Sequence, residues 1–115
     1  MRNAGEIFAH HLEAFGAGDL DEILVDYTPD TLMIYGDRIW RGLDGARDFF
    51  SLWLSEWIPA GSRFDVIDQQ IVDSVVYLTW TAESEKYVFD FGTDTFVMRD
   101  GKVLQQTVAT KHRLK

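Results

Sequence analysis

The sequence contains no cysteine and only two prolines in 115 residues. Without thiols there is no disulfide framework, no thiolate metal site and no cysteine nucleophile. Basic residues are also scarce: eleven Lys and Arg face nineteen Asp and Glu, a net charge of −8. Phosphate contacts dominate affinity for nucleic acid, so an acidic chain without a basic stripe is not a DNA or RNA binder. The same charge opposes docking on an anionic membrane. No run of about eighteen apolar residues is present to span a bilayer. Met1–Glu6 lacks the continuous apolar stretch of a signal peptide. A cytoplasmic protein is expected. Three histidines without chelating spacing give no metal site, and neither a Gly-rich phosphate loop nor a nucleophile elbow occurs. No cofactor is expected.

What is present reads as one globular domain over residues 1–115, with 46% hydrophobic and 26% charged residues. Aromatics are abundant, with four Trp and eight Phe among them. So many large rings in so small a domain fill a dense core or line a cavity.

Helical periodicity places Ile7, Phe8, Leu12 and Phe15 on one apolar stripe of a first helix over Asn3–Phe15, with His11 inside the stripe. His10 falls toward the polar side, with Glu6 and Glu13. Gly16-Ala17-Gly18 ends this helix. Asp19 and Glu22 have capping-box spacing for a short helix over Leu20–Asp26, which Thr28-Pro29-Asp30 stops. Thr31–Tyr35 and Arg38–Arg41 read as a hairpin around Gly36-Asp37. Asp44 then caps a third helix running to Ile58, where Ala46, Phe49, Phe50, Trp53, Leu54 and Trp57 repeat at helical spacing. Strands are expected over Arg63–Val72, Val75–Glu83, Lys86–Met98 and Lys102–His112. Asp100-Gly101 forms a tight turn, and Gly92 marks a bend or bulge. Helices collected on one face of a curved antiparallel sheet make an α+β fold.

This order of elements resembles the nuclear transport factor 2-like superfamily, particularly its ketosteroid isomerase and SnoaL-like polyketide cyclase branches. The resemblance rests on Ala17-Gly18-Asp19-Leu20-Asp21, Arg41-Gly42, Ala46-Arg47-Asp48-Phe49-Phe50, Thr93-Asp94-Thr95-Phe96 and Asp100-Gly101-Lys102-Val103. It implies a cystatin/NTF2-like cone, three N-terminal helices packed on a curved antiparallel sheet. It also implies a homodimer through the convex sheet face, by whichever of Val75, Tyr77, Tyr87 and Phe89 point outward. The isomerase's helix-one tyrosine falls on His11 and its strand aspartic acid on Asp94. Its proton-shuttling aspartate falls on Tyr35, a phenol unsuited to that work, with Asp37 beside it as the nearest carboxylate. Steroid isomerisation by the family's mechanism is therefore not expected. The Asp-Arg-Asp set of the epoxide hydrolases cannot be assembled from Arg41, Arg47 and Arg63.

The resemblance makes His11 and Asp94 the candidate catalytic pair, since both matched positions converge on one ligand oxygen. A carboxylate hydrogen-bonded to one imidazole nitrogen would orient the ring for acid/base work. Each residue also has a plain structural explanation. A histidine in an apolar stripe is commonly a core residue, and an aspartate between two threonines can bond neighbouring polar groups. Alternation adds Phe96 and Met98 on the face of Asp94, and Gln106 and Val108 on the last strand, sharing a face with Thr110 and His112. Phe15, Phe50 and Trp53 from the helices and Tyr35 at the rim complete the expected pocket for a small hydrophobic organic ligand. Two functions follow: a non-catalytic SnoaL-like binding protein, or a lyase or isomerase (dehydratase or cyclase) using the His11–Asp94 pair.

Overall fold

A computed structural model describes residues 2–115. Helix α1 (Ala4–Gly16) starts at a capping box. The Asn3 side chain accepts from the Glu6 amide at 2.9 Å, and the Glu6 carboxylate accepts from the Asn3 amide at 3.0 Å. Helix α2 is shorter than expected, Leu20–Leu24. Asp19 caps it through the Glu22 amide (3.2 Å), but the Glu22 carboxylate turns to His10 instead of completing a second capping box.

Strand β1 (Tyr27–Tyr35) begins four residues before the expected Thr31. Its register slips between Tyr27 and Leu32, and Pro29 lies inside that irregularity, where its missing N–H interrupts no regular ladder. Thr31 closes the bulge: its hydroxyl accepts from the Thr28 amide and donates to the Val103 carbonyl. Strand β2 (Arg38–Arg41) pairs with β1 as the expected hairpin.

Helix α3 (Gly42–Leu52) has Arg41 at its cap position, without a side-chain cap. Asp44 sits in the first turn instead, where its charge meets the positive end of the helix. The expected run to Ile58 breaks at Leu52, and Trp53–Trp57 form a π-helical turn closed by the Ile58 amide on the Trp53 carbonyl (2.7 Å). The wider turn lets Trp53 and Trp57 stack edge to face at 4.8 Å.

The meander follows as β3 (Arg63–Val72), β4 (Val75–Glu83), β5 (Tyr87–Arg99) and β6 (Lys102–Leu114). Asp100 and Gly101 both have positive φ, the requirement of the tightest hairpin turn. The six strands lie in the order β2-β1-β6-β5-β4-β3. The sheet is mixed rather than wholly antiparallel, because β1 runs parallel to β6. Ile7, Phe8, Ala46, Phe49, Phe50, Val76, Leu78 and Phe96 meet in the core between the helices and the concave face. No helix among the described residues is long and apolar enough to cross a membrane.

Gly92 shapes this concave face. It pairs with Trp80 across β4 and β5, and a Cβ there would lie 2.3 Å from Cε2 of the Trp80 indole. The register slips nearby, between Trp80 and Ala82 and between Phe89 and Phe91. The second slip reverses alternation. Phe89, an outward candidate in the sequence, is buried against Trp53 and Trp80, and Phe91 faces out.

Candidate functional site

Between α1, the α3–π turn and the concave sheet lies a cavity of about 40 Å³. Phe15, Phe50, Trp53, Phe96, Gln106 and Val108 all line it, as do His11 and Asp94. Leu12, Phe15 and Phe64 are the half-buried members of its apolar wall. Two expected lining residues lie elsewhere. Met98 is buried but pairs with Val103 beyond a register slip, past the end of the cavity. The Tyr35 hydroxyl bonds the Thr110 hydroxyl at 2.5 Å, and its ring packs on Trp53 and Trp57. Asp37 is exposed in the hairpin turn, so neither residue brings a carboxylate to the cavity. His112 stacks on Phe89 at 4.9 Å and bonds Thr110, also outside the lining.

Asp94 is committed on both oxygens. The Trp80 indole donates to Oδ1 at 2.8 Å, and Gln106 Nε2 donates to Oδ2 at 2.9 Å. The Tyr27 hydroxyl donates in turn to Gln106 Oε1, which fixes the amide's orientation. Burial pushes the Asp94 carboxyl up to about 6, and the two N–H donors oppose that rise. Burial, with nearby Asp94 and Asp26, also holds the Tyr27 hydroxyl well above its ordinary range, so it remains a donor.

His11 is not hydrogen-bonded to Asp94. Its Nδ1 is buried without a hydrogen-bond partner, and its ring sits among Phe96, Phe50, Tyr27 and Phe15 at 5.3–6.2 Å. Burial lowers its pKa to about 4, leaving a neutral imidazole at neutral pH. The expected dyad is thus replaced by a Tyr27–Gln106–Asp94–Trp80 chain. Trp80 and Tyr27 escaped the sequence reading. Gly92 was the available signal, since a mid-strand glycine marks where another group approaches the backbone closely.

His10, roughly a quarter turn round α1 from His11, is the second missed feature. Its Nδ1 lies 2.5 Å from Asp26 and its Nε2 2.6 Å from Glu22. Asp26 is fully buried and also pairs with Arg2 at 2.8 Å. Asp26 first, then Glu22, raises the His10 pKa, and this cluster ties α1 to the segment after α2.

The fold has many solved counterparts. The epoxide hydrolase/cyclase-like enzyme SalBIII, of pyran ring formation in the polyether salinomycin, matches with a TM-score of 0.81 at 16% identity, over 97% of this chain and 95% of its own. An NTF2-like protein of unknown function from Burkholderia xenovorans gives 0.76 at 19% identity, covering 94% and 82%. A putative polyketide cyclase from Sinorhizobium meliloti gives 0.73 at 11% identity, covering 90% and 93%. At these identities the likeness is one of fold. No curated protein matches the sequence. The SnoaL-like domain model matches residues 8–106, nearly the whole structure just described, and the chain belongs to the SnoaL-like domain family.

Proposed function

We propose that the cone binds a small hydrophobic organic ligand and that it does so without a His11–Asp94 acid/base pair. One observation carries this reading: both Asp94 oxygens are held by Trp80 and Gln106 while His11 stands neutral and unbonded to it. In a histidine–carboxylate acid/base pair the carboxylate accepts from one ring nitrogen and so orients the imidazole, and no such bond joins Asp94 to His11. Here the polar groups fix one another, and the remaining wall is apolar. The cavity as it stands admits about three water-sized groups, so a larger ligand needs its wall to move.

The second reading, a lyase- or isomerase-type enzyme, is favoured by the Asp94 pKa of about 6, close to a working general base. In that reading Asp94 acts with a neutral His11 as hydrogen-bonding partner. Two of the similar folds carry cyclase names, which puts a cyclase ahead of a dehydratase among such activities.

A cytoplasmic homodimer completes the proposal. Across the convex face, Tyr77, Thr95, Thr107, Ile34 and Ile39 form one uncharged ladder row, and Val72, Val75, Val97, Gln105 and Leu32 form another that ends at Arg41. Ile39 and Val72 are 57% and 62% exposed. A patch of this kind calls for a covering surface, and Tyr77→Lys should convert a dimer to a monomer in sedimentation analysis.

The binding reading is tested by titrating neutral aliphatic and aromatic fragments into isotope-labelled protein. Shifts confined to Leu12, Phe15, Phe96 and Val108 are expected. Turnover of any such compound, abolished in Asp94→Asn with folding intact, would replace the binding reading with the enzymatic one.

A further inference from the structure

The polar end of the cavity carries a charge without a counter-charge. Asp94 is the one carboxylate of the lining, and no Lys or Arg shares that lining. Among the described residues no cationic side chain forms an ion pair with it. Its two donors cannot turn round. An indole N–H only donates, and the Gln106 amide is fixed by the Tyr27 hydroxyl on its other end. Both favour an ionised carboxylate, whose desolvation a cation would offset. The same lining includes Phe8, Phe15, Phe50, Trp53 and Phe96, and aromatic faces attract cations. The net charge of −8 adds a long-range field of the same preference.

We infer that the cone's ligand is a small hydrophobic amine, bound as its ammonium ion between the Asp94 carboxylate and the aromatic wall. The inference deepens the binding reading and rests on it. A cavity of about 40 Å³ holds on the order of three water-sized groups, so an ammonium head bearing one or two carbons fits as it stands, and isopropylammonium fits with a small yielding of the half-buried Leu12, Phe15 and Phe64. Alkyl amines, like the lysine ammonium, keep their charge up to about pH 10. His11, the other titratable lining residue, is neutral above about 4 and does not compete for Asp94. Tyr27, behind Gln106, stays protonated.

The test uses the full chain at fixed ionic strength, titrated with isopropylammonium chloride, the neutral isostere isopropanol and the anion isobutyrate. Melting temperature and the amide resonances of Phe96 and Val108 report binding. Isopropylammonium should bind about tenfold tighter than isopropanol near pH 7.5. That preference should fall about tenfold by pH 5 as Asp94 protonates, and Asp94→Asn should remove it while isopropanol binding persists. The pH series on the unaltered protein decides the matter even if Asp94→Asn folds poorly. Isopropanol or isobutyrate binding as tightly as the ammonium ion, or a preference independent of pH, overturns the amine assignment and leaves the binding reading standing. Cavity resonances unmoved by all three compounds overturn both.

Discussion

A methyl group added at Gly92 would lie 2.3 Å from Cε2 and 2.4 Å from Cζ2 of Trp80, where ordinary carbon contacts are about 3.5–4.0 Å. The obstacle is a fused ring, enclosed by Phe64 at 5.0 Å, Phe89 at 5.6 Å and Trp53 at 6.2 Å. Gly92→Ala must therefore push the indole by about an ångström into packed neighbours, an overpacking cost of about 1–3 kcal/mol. The same movement draws Nε1 away from Asp94, and losing a hydrogen bond to a charged group costs about 1.5–3 kcal/mol. Together these give about 3–5 kcal/mol, or a fall in Tm on the order of 10–20 °C for a domain of this size. Urea unfolding followed by tryptophan emission measures it. A Gly92→Ala protein within about 0.5 kcal/mol of the parent would refute the claim that the bare backbone at Gly92 exists to seat Trp80.

Three further outcomes follow from the same geometry. Asp94 titrates near 3.8 unfolded and about 6 folded; its raised value means its contribution is complete below 3.8 and lost as pH rises through 6. The parent should lose roughly 2–3 kcal/mol relative to Asp94→Asn between pH 4 and 7, read from paired urea curves. His10 is raised above its ordinary 6.5, so its stabilisation is full below 6.5 and fades as pH climbs through the folded value. His10→Ala leaves buried Asp26 with Arg2 alone and should cost about 2–4 kcal/mol at pH 6, with a smaller cost at pH 9. Phe96→Ala removes a ring that is 1% exposed beside the cavity; it should cost about 3–4 kcal/mol, and benzene should restore part of the lost Tm by filling the new space.

The sequence made the element order legible because its punctuation is local. Gly16-Ala17-Gly18, Pro59-Ala60-Gly61 and Asp100-Gly101 act through backbone freedom, which a sequence states directly. The apolar stripe of α1 likewise told correctly that His11 faces inward. What escaped reading depended on partners distant in sequence. Phe89 turned inward because a bulge beside Asp90 shifts the register, and alternation has no memory across a bulge. The π-helical turn at Trp53–Trp57 was hidden because the spacing of its aromatics also fits an α-helix. The parallel pairing of β1 with β6 joins segments some seventy residues apart. Asp94 was found through the family resemblance, yet its donors, Trp80 and Gln106, come from two different strands. His10 seemed a solvated residue because the two carboxylates that hold it lie on another helix and on the segment after it.

A cone that binds without an acid/base dyad holds a neutral His11 and an Asp94 that titrates independently of it. The imidazole ¹⁵N spectrum of His11, followed from about pH 4 to 8 alongside the Asp94 carboxyl ¹³C shift, tests this most directly. A neutral ring above pH 5, with protonation setting in near 4, and a carboxyl that titrates alone near 6 are expected. An imidazolium persisting above pH 6.5, with both signals shifting at a common midpoint, would contradict the binding arrangement and restore the dyad.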